Sequence, residues 1–210
     1  MFLSPEVVAR GRQWYEATYF AHTTTESLLG EKSTSYLEDA DAAGRARAVL
    51  GSADIVVSLR DPVERAVSNW RFSRANGLEQ RPLEQALADN LTGTTDWDRS
   101  ATSVSPYAYL ERGRYADYLL PWLDAFPPAS VHVRFVEEQR DPAGTLRQLY
   151  AALGVDPGVV ALNRHPRERR SDGPTPGLSR ELWSRLRAYF RPADERLREL
   201  LGRELPWSSG

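Results

Sequence analysis

The fold is decided by the stretch Ile55-Val56-Val57-Ser58-Leu59-Arg60-Asp61-Pro62-Val63-Glu64-Arg65-Ala66-Val67-Ser68-Asn69-Trp70. Residues 54–59 form a short apolar run rich in β-branched side chains, which is typical of a strand buried in a parallel sheet. The run ends at Arg60-Asp61-Pro62, and helical periodicity then continues to Ala75. A buried strand that passes directly into a helix predicts an α/β domain.

Arg60 follows this predicted strand, at the end of the sheet where α/β folds bind their ligands. Pro62 is expected to leave free amides at the start of the helix, and such amides bind anions. An arginine fork matches the oxygens of a phosphate, and Ser68 is placed two turns on to bind the same group. Alternatively, Arg60 and Asp61 form a helix-capping ion pair and Ser68 only faces solvent.

Strands and helices alternate along the rest of the chain. Further strands are predicted over 28–37 and 131–136. Helices are predicted over 5–20, 42–50, 82–90, 115–126, 141–153, 179–190 and 192–201, and a long polar loop over 91–106. This alternation predicts a three-layer α/β domain with a central parallel sheet, as a single domain over residues 1–210.

The composition argues against several classes of protein. The 210 residues carry 27 basic and 29 acidic side chains, a balance that favours neither nucleic acid nor an anionic membrane as a partner. There is no cysteine, and the three histidines lack metal-ligand spacing, so we expect neither disulfides nor a metal site. No apolar run approaches the roughly 20 residues that span a bilayer. These features predict a soluble, cytoplasmic protein.

Several motifs resemble one known family. Arg60-Asp61-Pro62, followed by Arg65-Ala66 and Ser68, resembles the 3′-phosphate motif of the sulfotransferases that use 3′-phosphoadenosine 5′-phosphosulfate (PAPS), particularly the heparan-sulfate-type enzymes and their bacterial relatives. Other segments similar to that family are residues 10–15, 30–36, 113–119, 122–127, 141–154, 185–192 and 205–207. The resemblance implies a P-loop-like fold and sulfuryl transfer from PAPS to a hydroxyl or amine of a small molecule or carbohydrate, without a metal.

The resemblance also assigns roles to individual residues. Arg60 and Ser68 would hold the 3′-phosphate, and Lys32 would stabilise charge near the sulfonate. The alternative for Lys32 is a surface lysine at a strand end. Tyr107 and Tyr109 either line an acceptor cleft or pack at an edge.

The chain departs from the family pattern before its last helix. Where relatives have Lys-Gly-Arg, this chain has Ser171-Asp172-Gly173. Arg167, Arg169 and Arg170 lie just upstream; Arg169 and Arg170 are the candidate cofactor ligands there, the alternative being a solvated basic stretch.

A second departure lies at the N-terminus. The family's 5′-phosphosulfate loop, its strand and the glutamate that serves as base fall before Met1. We therefore expect a chain shortened at its N-terminus, of uncertain activity. Glu31 adjoins Lys32 but is expected to point into the fold. The alternative function is a catalytically inactive nucleotide-binding or scaffold remnant of the same fold; a P-loop kinase relative is disfavoured because no Walker lysine is present.

Overall fold

The computed structural model describes residues 2–33, 35–93, 95–98, 105–138, 141–159 and 177–208. Within these ranges the helices are α1 (Pro5–Val8), α2 (Gly11–Tyr19), α3 (Ala42–Leu50), α4 (Pro62–Ala75), α5 (Leu83–Asn90), α6 (Tyr115–Ala125), α7 (Pro142–Ala152) and α8 (Arg180–Leu201). The strands are β1 (Ile55–Leu59) and β2 (Val131–Phe135), which pair in a parallel sheet. The predicted α/β class is confirmed.

The chain divides into two compact units. The first comprises Met1–Ser58, Asp117–Arg134 and Gln139–Val160, and the second comprises Leu59–Ala116, Phe135–Glu138 and Ala161–Gly210. The single domain predicted over residues 1–210 stays a prediction.

Each unit has its own apolar core. Buried residues of the first core are Phe2, Tyr15, Ala42, Ala43, Ala46, Trp122 and Phe126. Buried residues of the second core are Val63, Ala66, Val67, Trp70, Leu83, Ala86, Leu87, Tyr109, Leu110, Leu182, Leu186 and Phe190. The second core packs α4, α5 and α8 behind the Arg60-Asp61-Pro62 junction.

The last helix is longer than the sequence predicts. One helix runs from Arg180 to Leu201 with Pro192 inside it, in place of the predicted helices over 179–190 and 192–201. Proline removes a helical hydrogen bond, but the buried stripe of the helix continues across it, through Ala193 and Leu197. Ser179 caps the start of the helix by accepting from the amide of Leu182.

Two other predicted elements differ from those observed. The helix predicted over 5–20 is broken into α1 and α2 at Gly11, whose φ of 77° is a left-handed conformation outside the helical range. The strand predicted over 28–37 is wrong, because residues 28–33 pair with no strand in the described ranges and Tyr36–Glu38 is a 3₁₀ turn. In the part of the chain that the structure describes, no helix combines the length and apolarity needed to cross a membrane.

Candidate active site

The junction between β1 and α4 is closed by the side chain of Asp61. This residue is 8% exposed, and its Oδ1 accepts hydrogen bonds from the amides of Val63 at 2.8 Å and Glu64 at 3.4 Å. Pro62 has no amide hydrogen to offer. The expectation of free amides at this helix start is therefore wrong, because an aspartate N-cap already satisfies them.

Side chains from three other segments hold the same junction. The Tyr115 hydroxyl donates to the carbonyl oxygen of Arg60 at 2.9 Å, and the amide of Asp61 donates to Oε1 of Glu137 at 2.6 Å. Nη1 and Nη2 of Arg187 donate to the two carboxylate oxygens of Asp61 at 3.1 and 2.5 Å. Burial raises the pKa of Tyr115, so its hydroxyl stays protonated and acts as a donor at neutral pH.

The guanidinium of Arg60 lies at the surface of the second unit. Its side chain is 36% exposed, and Nη2 lies 3.7 Å from Oε2 of Glu64. Asp61 pairs with Arg187 instead, so Arg60 and Asp61 do not form the ion pair considered as an alternative. An exposed pair as long as Arg60–Glu64 contributes little stability, so an incoming anion can compete with Glu64 at small cost.

Ser68 lies on the exposed face of α4. Glu64, Ser68 and Phe72 follow one another at intervals of four residues and are all exposed, and this spacing places them on one side of the helix. The structure thus joins Arg60 and Ser68 in one strand–helix element, with both side chains accessible.

Arg65, the second arginine of the motif, has a structural role. Its guanidinium donates to the carbonyl oxygen of Tyr109 at 3.2 Å and to Oδ1 of Asn69 at 3.3 Å. Tyr109 is itself fully buried, and its hydroxyl donates to Glu79 at 2.9 Å. Of the two interpretations of Tyr109, packing is therefore the correct one.

Lys32 lies in the first unit and is exposed. Its neighbour Glu31 accepts a hydrogen bond from the Tyr36 hydroxyl at 2.6 Å, and the charge of Glu31 also acts on the phenol of Tyr15. Burial, together with Glu31, raises the pKa of both tyrosines. Glu31 is exposed rather than turned into the fold as expected, because the Tyr36 phenol holds its carboxylate near the surface. Glu31 thus anchors the segment that carries Lys32.

The remaining candidates are only partly described. Arg169 and Arg170 lie outside the described residues. Tyr107 is partly buried, and its hydroxyl donates to the carbonyl oxygen of Leu78 at 2.8 Å. Its place in an acceptor cleft stays a prediction.

Sequence reasoning missed Tyr115, Glu137 and Arg187. Tyr115 and Arg187 do fall in segments that resemble the sulfotransferases, but no sequence pattern links either of them to the junction at Arg60 and Asp61. A signal was also overlooked at Lys32, which is the only lysine among the 27 basic residues of the chain. The role of Lys32 near the sulfonate stays a prediction.

Most of the chain matches one known family. The profile of the Sulfotransferase family matches residues 8–157, which include Lys32, β1 and the Arg60–Ser68 element. The chain belongs to the sulfotransferase family. The family predicted from the motifs is thereby confirmed.

Two curated relatives of this sulfotransferase are named as heparan sulfate glucosamine 3-O-sulfotransferases. The chain is 26% identical over 224 residues to heparan sulfate glucosamine 3-O-sulfotransferase 3B1 of Mus musculus, covering 94% of this chain and 54% of that protein. It is 28% identical over 224 residues to heparan sulfate glucosamine 3-O-sulfotransferase 6 of Homo sapiens, covering 94% of this chain and 61% of that protein. The chain spans about half the length of the curated relatives it matches.

A solved sulfotransferase shares the fold. The crystal structure of a sulfotransferase from Alicyclobacillus acidocaldarius matches with a TM-score of 0.75 and 28% identity, over 93% of this chain and 73% of that one. This likeness confirms the predicted P-loop-like α/β fold class. Among the described residues of this sulfotransferase, no cluster of three or more His, Cys, Asp or Glu is arranged to hold a metal ion.

Proposed function

We propose that this chain transfers a sulfuryl group from PAPS to a hydroxyl or amine of a carbohydrate or other small molecule. Membership of the sulfotransferase family supports the reaction class. The relatives named as heparan sulfate glucosamine 3-O-sulfotransferases support a carbohydrate hydroxyl as the acceptor.

The proposal rests on which polar groups of the Arg60–Ser68 element are already hydrogen-bonded and which are accessible to a ligand. Its backbone amides are satisfied by Asp61 and Glu137, whereas the guanidinium of Arg60 and the hydroxyl of Ser68 are accessible. A planar fork of donors and a hydroxyl are the chemistry that a phosphate dianion requires. We assign this element to the binding of the 3′-phosphate of PAPS. We also assign Arg169 and Arg170 as additional ligands of PAPS.

In the proposed reaction, the acceptor oxygen or nitrogen bonds to the sulfur of PAPS. The bond between sulfur and the bridging phosphate oxygen breaks, its electron pair stays on that oxygen, and adenosine 3′,5′-bisphosphate leaves. The acceptor proton is released to a base. Catalysis of such a transfer consists mainly of positioning and of stabilising charge on the moving group. We assign the stabilisation of charge on the moving group to Lys32.

Calorimetric titration of the 210-residue chain with adenosine 3′,5′-bisphosphate and adenosine 5′-phosphate tests the assignment. Arg60→Ala should weaken binding of the bisphosphate by on the order of 1.5–3 kcal/mol and barely change binding of the monophosphate. Ser68→Ala should act in the same direction but less, by about 0.5–1.5 kcal/mol. Both changes remove contacts that only the 3′-phosphate makes.

Arg198→Ala is the matched control. Arg198 is 44% exposed and lies 3.9 Å from Glu204, so its environment resembles that of Arg60 beside Glu64. The proposal is wrong if the unaltered chain does not prefer the bisphosphate. It is also wrong if Arg60→Ala weakens both nucleotides equally, or if Arg198→Ala has the same effect as Arg60→Ala.

A further inference from the structure

The peptide group between Arg60 and Asp61 is held by side chains on both of its polar atoms. Tyr115 donates to its carbonyl oxygen, and Glu137 accepts from its amide, at 2.9 and 2.6 Å. A peptide group is planar, so fixing its oxygen and its nitrogen fixes the orientation of the whole plane. The Cα atom of Arg60 lies in that plane and directly follows β1, which ends at Leu59. The backbone is therefore restrained on both sides of Arg60, and this restricts the direction in which its side chain leaves the backbone.

Arg187 restrains the side chain of Asp61, the second residue of this peptide group. Its fork bonds both carboxylate oxygens of Asp61, while the guanidinium lies 4.7 Å from the ring centre of Trp183. The planar fork of arginine restrains a carboxylate in two directions at once. Asp61 is therefore held by its amide, by the helix start that it caps and by α8.

The buried polar groups around Arg60 and Asp61 are an inefficient way to raise the free energy of unfolding. The Asp61 side chain is only 11% exposed, and Oε2 of Glu137 is buried without a hydrogen-bond partner among the described residues. Buried ion pairs add little net stability compared with apolar packing, and one attested reason to retain them is the defined geometry they impose. The backbone of Arg60 is fixed by such groups, whereas the ion pair of its own side chain within the described residues is the long one with Glu64.

We infer that Tyr115, Glu137 and Arg187 are positioning residues, which fix the peptide plane at Arg60 and so aim its guanidinium at the 3′-phosphate of the donor. This inference rests on the proposed function of Arg60. It assigns roles to residues that are distant in sequence and that contact the backbone of Arg60 or the side chain of Asp61. A binding group held in advance loses less freedom when the ligand arrives, which favours affinity for that ligand.

The test compares the preference for adenosine 3′,5′-bisphosphate over adenosine 5′-phosphate in Tyr115→Phe and Arg187→Lys. Each change removes hydrogen bonds and keeps the size or the charge of the side chain. Tyr115→Phe should lower the preference about 2- to 10-fold, and Arg187→Lys by roughly 10-fold. Tyr109→Phe is the matched control, since it removes a buried tyrosine hydroxyl bond elsewhere in the same unit. It should lower the melting temperature and leave the preference unchanged.

The same two changes are then made in the Arg60→Ala background. If they act through Arg60, they should not alter the preference further there. The inference is overturned if Arg60→Ala abolishes the preference but Tyr115→Phe and Arg187→Lys retain it, or if both changes still act without Arg60. If Arg60→Ala itself leaves the preference intact, the proposed function fails, and the inference fails with it.

Discussion

The indole nitrogen of Trp207 donates a hydrogen bond to Oδ2 of Asp194 at 3.2 Å, which ties the C-terminal segment to α8. The other oxygen of Asp194 is buried and has no hydrogen-bond partner among the described residues. Burial raises the pKa of Asp194 to about 6, although the Trp207 hydrogen bond and the charge of Arg187 oppose the shift. The negative charge of Asp61 acts in the same direction as burial.

We expect Asp194→Asn to stabilise the protein at pH 8 and to have little effect at pH 4. The folded pKa of about 6 exceeds the ordinary value of 3.8, so the folded state binds the proton more tightly. Stability therefore decreases as the pH rises from about 4 to 6, and the full cost is present above pH 6. Asparagine removes the charge and retains an oxygen for Trp207. Urea unfolding at the two pH values measures the difference, and an equal effect at both would contradict the expectation.

Glu79 should show the opposite dependence on pH. Burial alone would raise the pKa of Glu79, but hydrogen bonds from Arg81 and Tyr109 outweigh it and hold the pKa at about 2. A lowered pKa stabilises the fold above the ordinary value of 4.5, and that stabilisation is lost as the pH falls towards 2. Glu79→Gln should therefore destabilise at pH 7 and progressively less below pH 4.5. Thermal melts across this range measure it, with Glu16→Gln as control, since the Glu16 carboxylate pairs only with Arg12 of its own helix in the described residues; a constant difference would refute the expectation.

Gly113→Ala should destabilise the second unit. A Cβ at residue 113 would lie 2.6 Å from the ring of Phe190 and 2.9 Å from Cβ of Pro62. Phe190 is 0% exposed and has no room to withdraw. We expect a loss on the order of 1–3 kcal/mol in the free energy of unfolding.

Gly44→Ala serves as the control for this change. Gly44 lies inside α3, and a Cβ there meets no described atom within 4 Å beyond its chain neighbours and the backbone of its own helix. Alanine should stabilise the helix by roughly 0.5–1 kcal/mol. Denaturant unfolding of both variants is the measurement, and equal effects of the two substitutions would show that the close packing at Gly113 is unimportant.

We expect Lys32→Ala to lower kcat far more than it raises KM for PAPS. A cation that acts mainly on the charge of the transferring group affects the chemical step more than ground-state binding. Stability should be almost unchanged, since Lys32 is exposed. Lys32→Arg is the control that keeps the charge and should recover part of kcat. Steady-state kinetics with labelled PAPS measure both constants. An unchanged kcat would show that Lys32 has no role in the chemical step.

The sequence contained enough information for the strand–helix element and little for the contacts that fix it. The apolar run before Arg60 and the proline at the helix start predict β1 and α4 because both signals are local. The same local pattern also contained the aspartate cap, since Asp61 directly precedes a proline at the first helical position. Free amides were expected only because this capping preference was not applied.

Contacts between distant segments could not be predicted in this way. Nothing in the residues around Arg187 indicates which carboxylate its fork binds, because the partner is selected by how α8 packs against α4. The prediction that the helix breaks at Pro192 is wrong for a similar reason. Packing of Ala193 and Leu197 keeps the helix continuous although proline disfavours it locally.

The peptide group at Arg60 has a further consequence for the order in which the protein folds. Its two hydrogen-bond partners, Tyr115 and Glu137, are 55 and 76 positions away along the chain, and Arg187, which binds the Asp61 carboxylate, is 126 positions away. Contacts of such long separation form late, because the intervening chain must first be ordered. A partly folded chain, or one whose C-terminal helix has detached, will therefore contain Arg60 without its binding geometry. The amide hydrogen of Asp61 should exchange with solvent only when the second unit opens. Its exchange rate therefore reports how often the hydrogen bonds around Arg60 and Asp61 are broken.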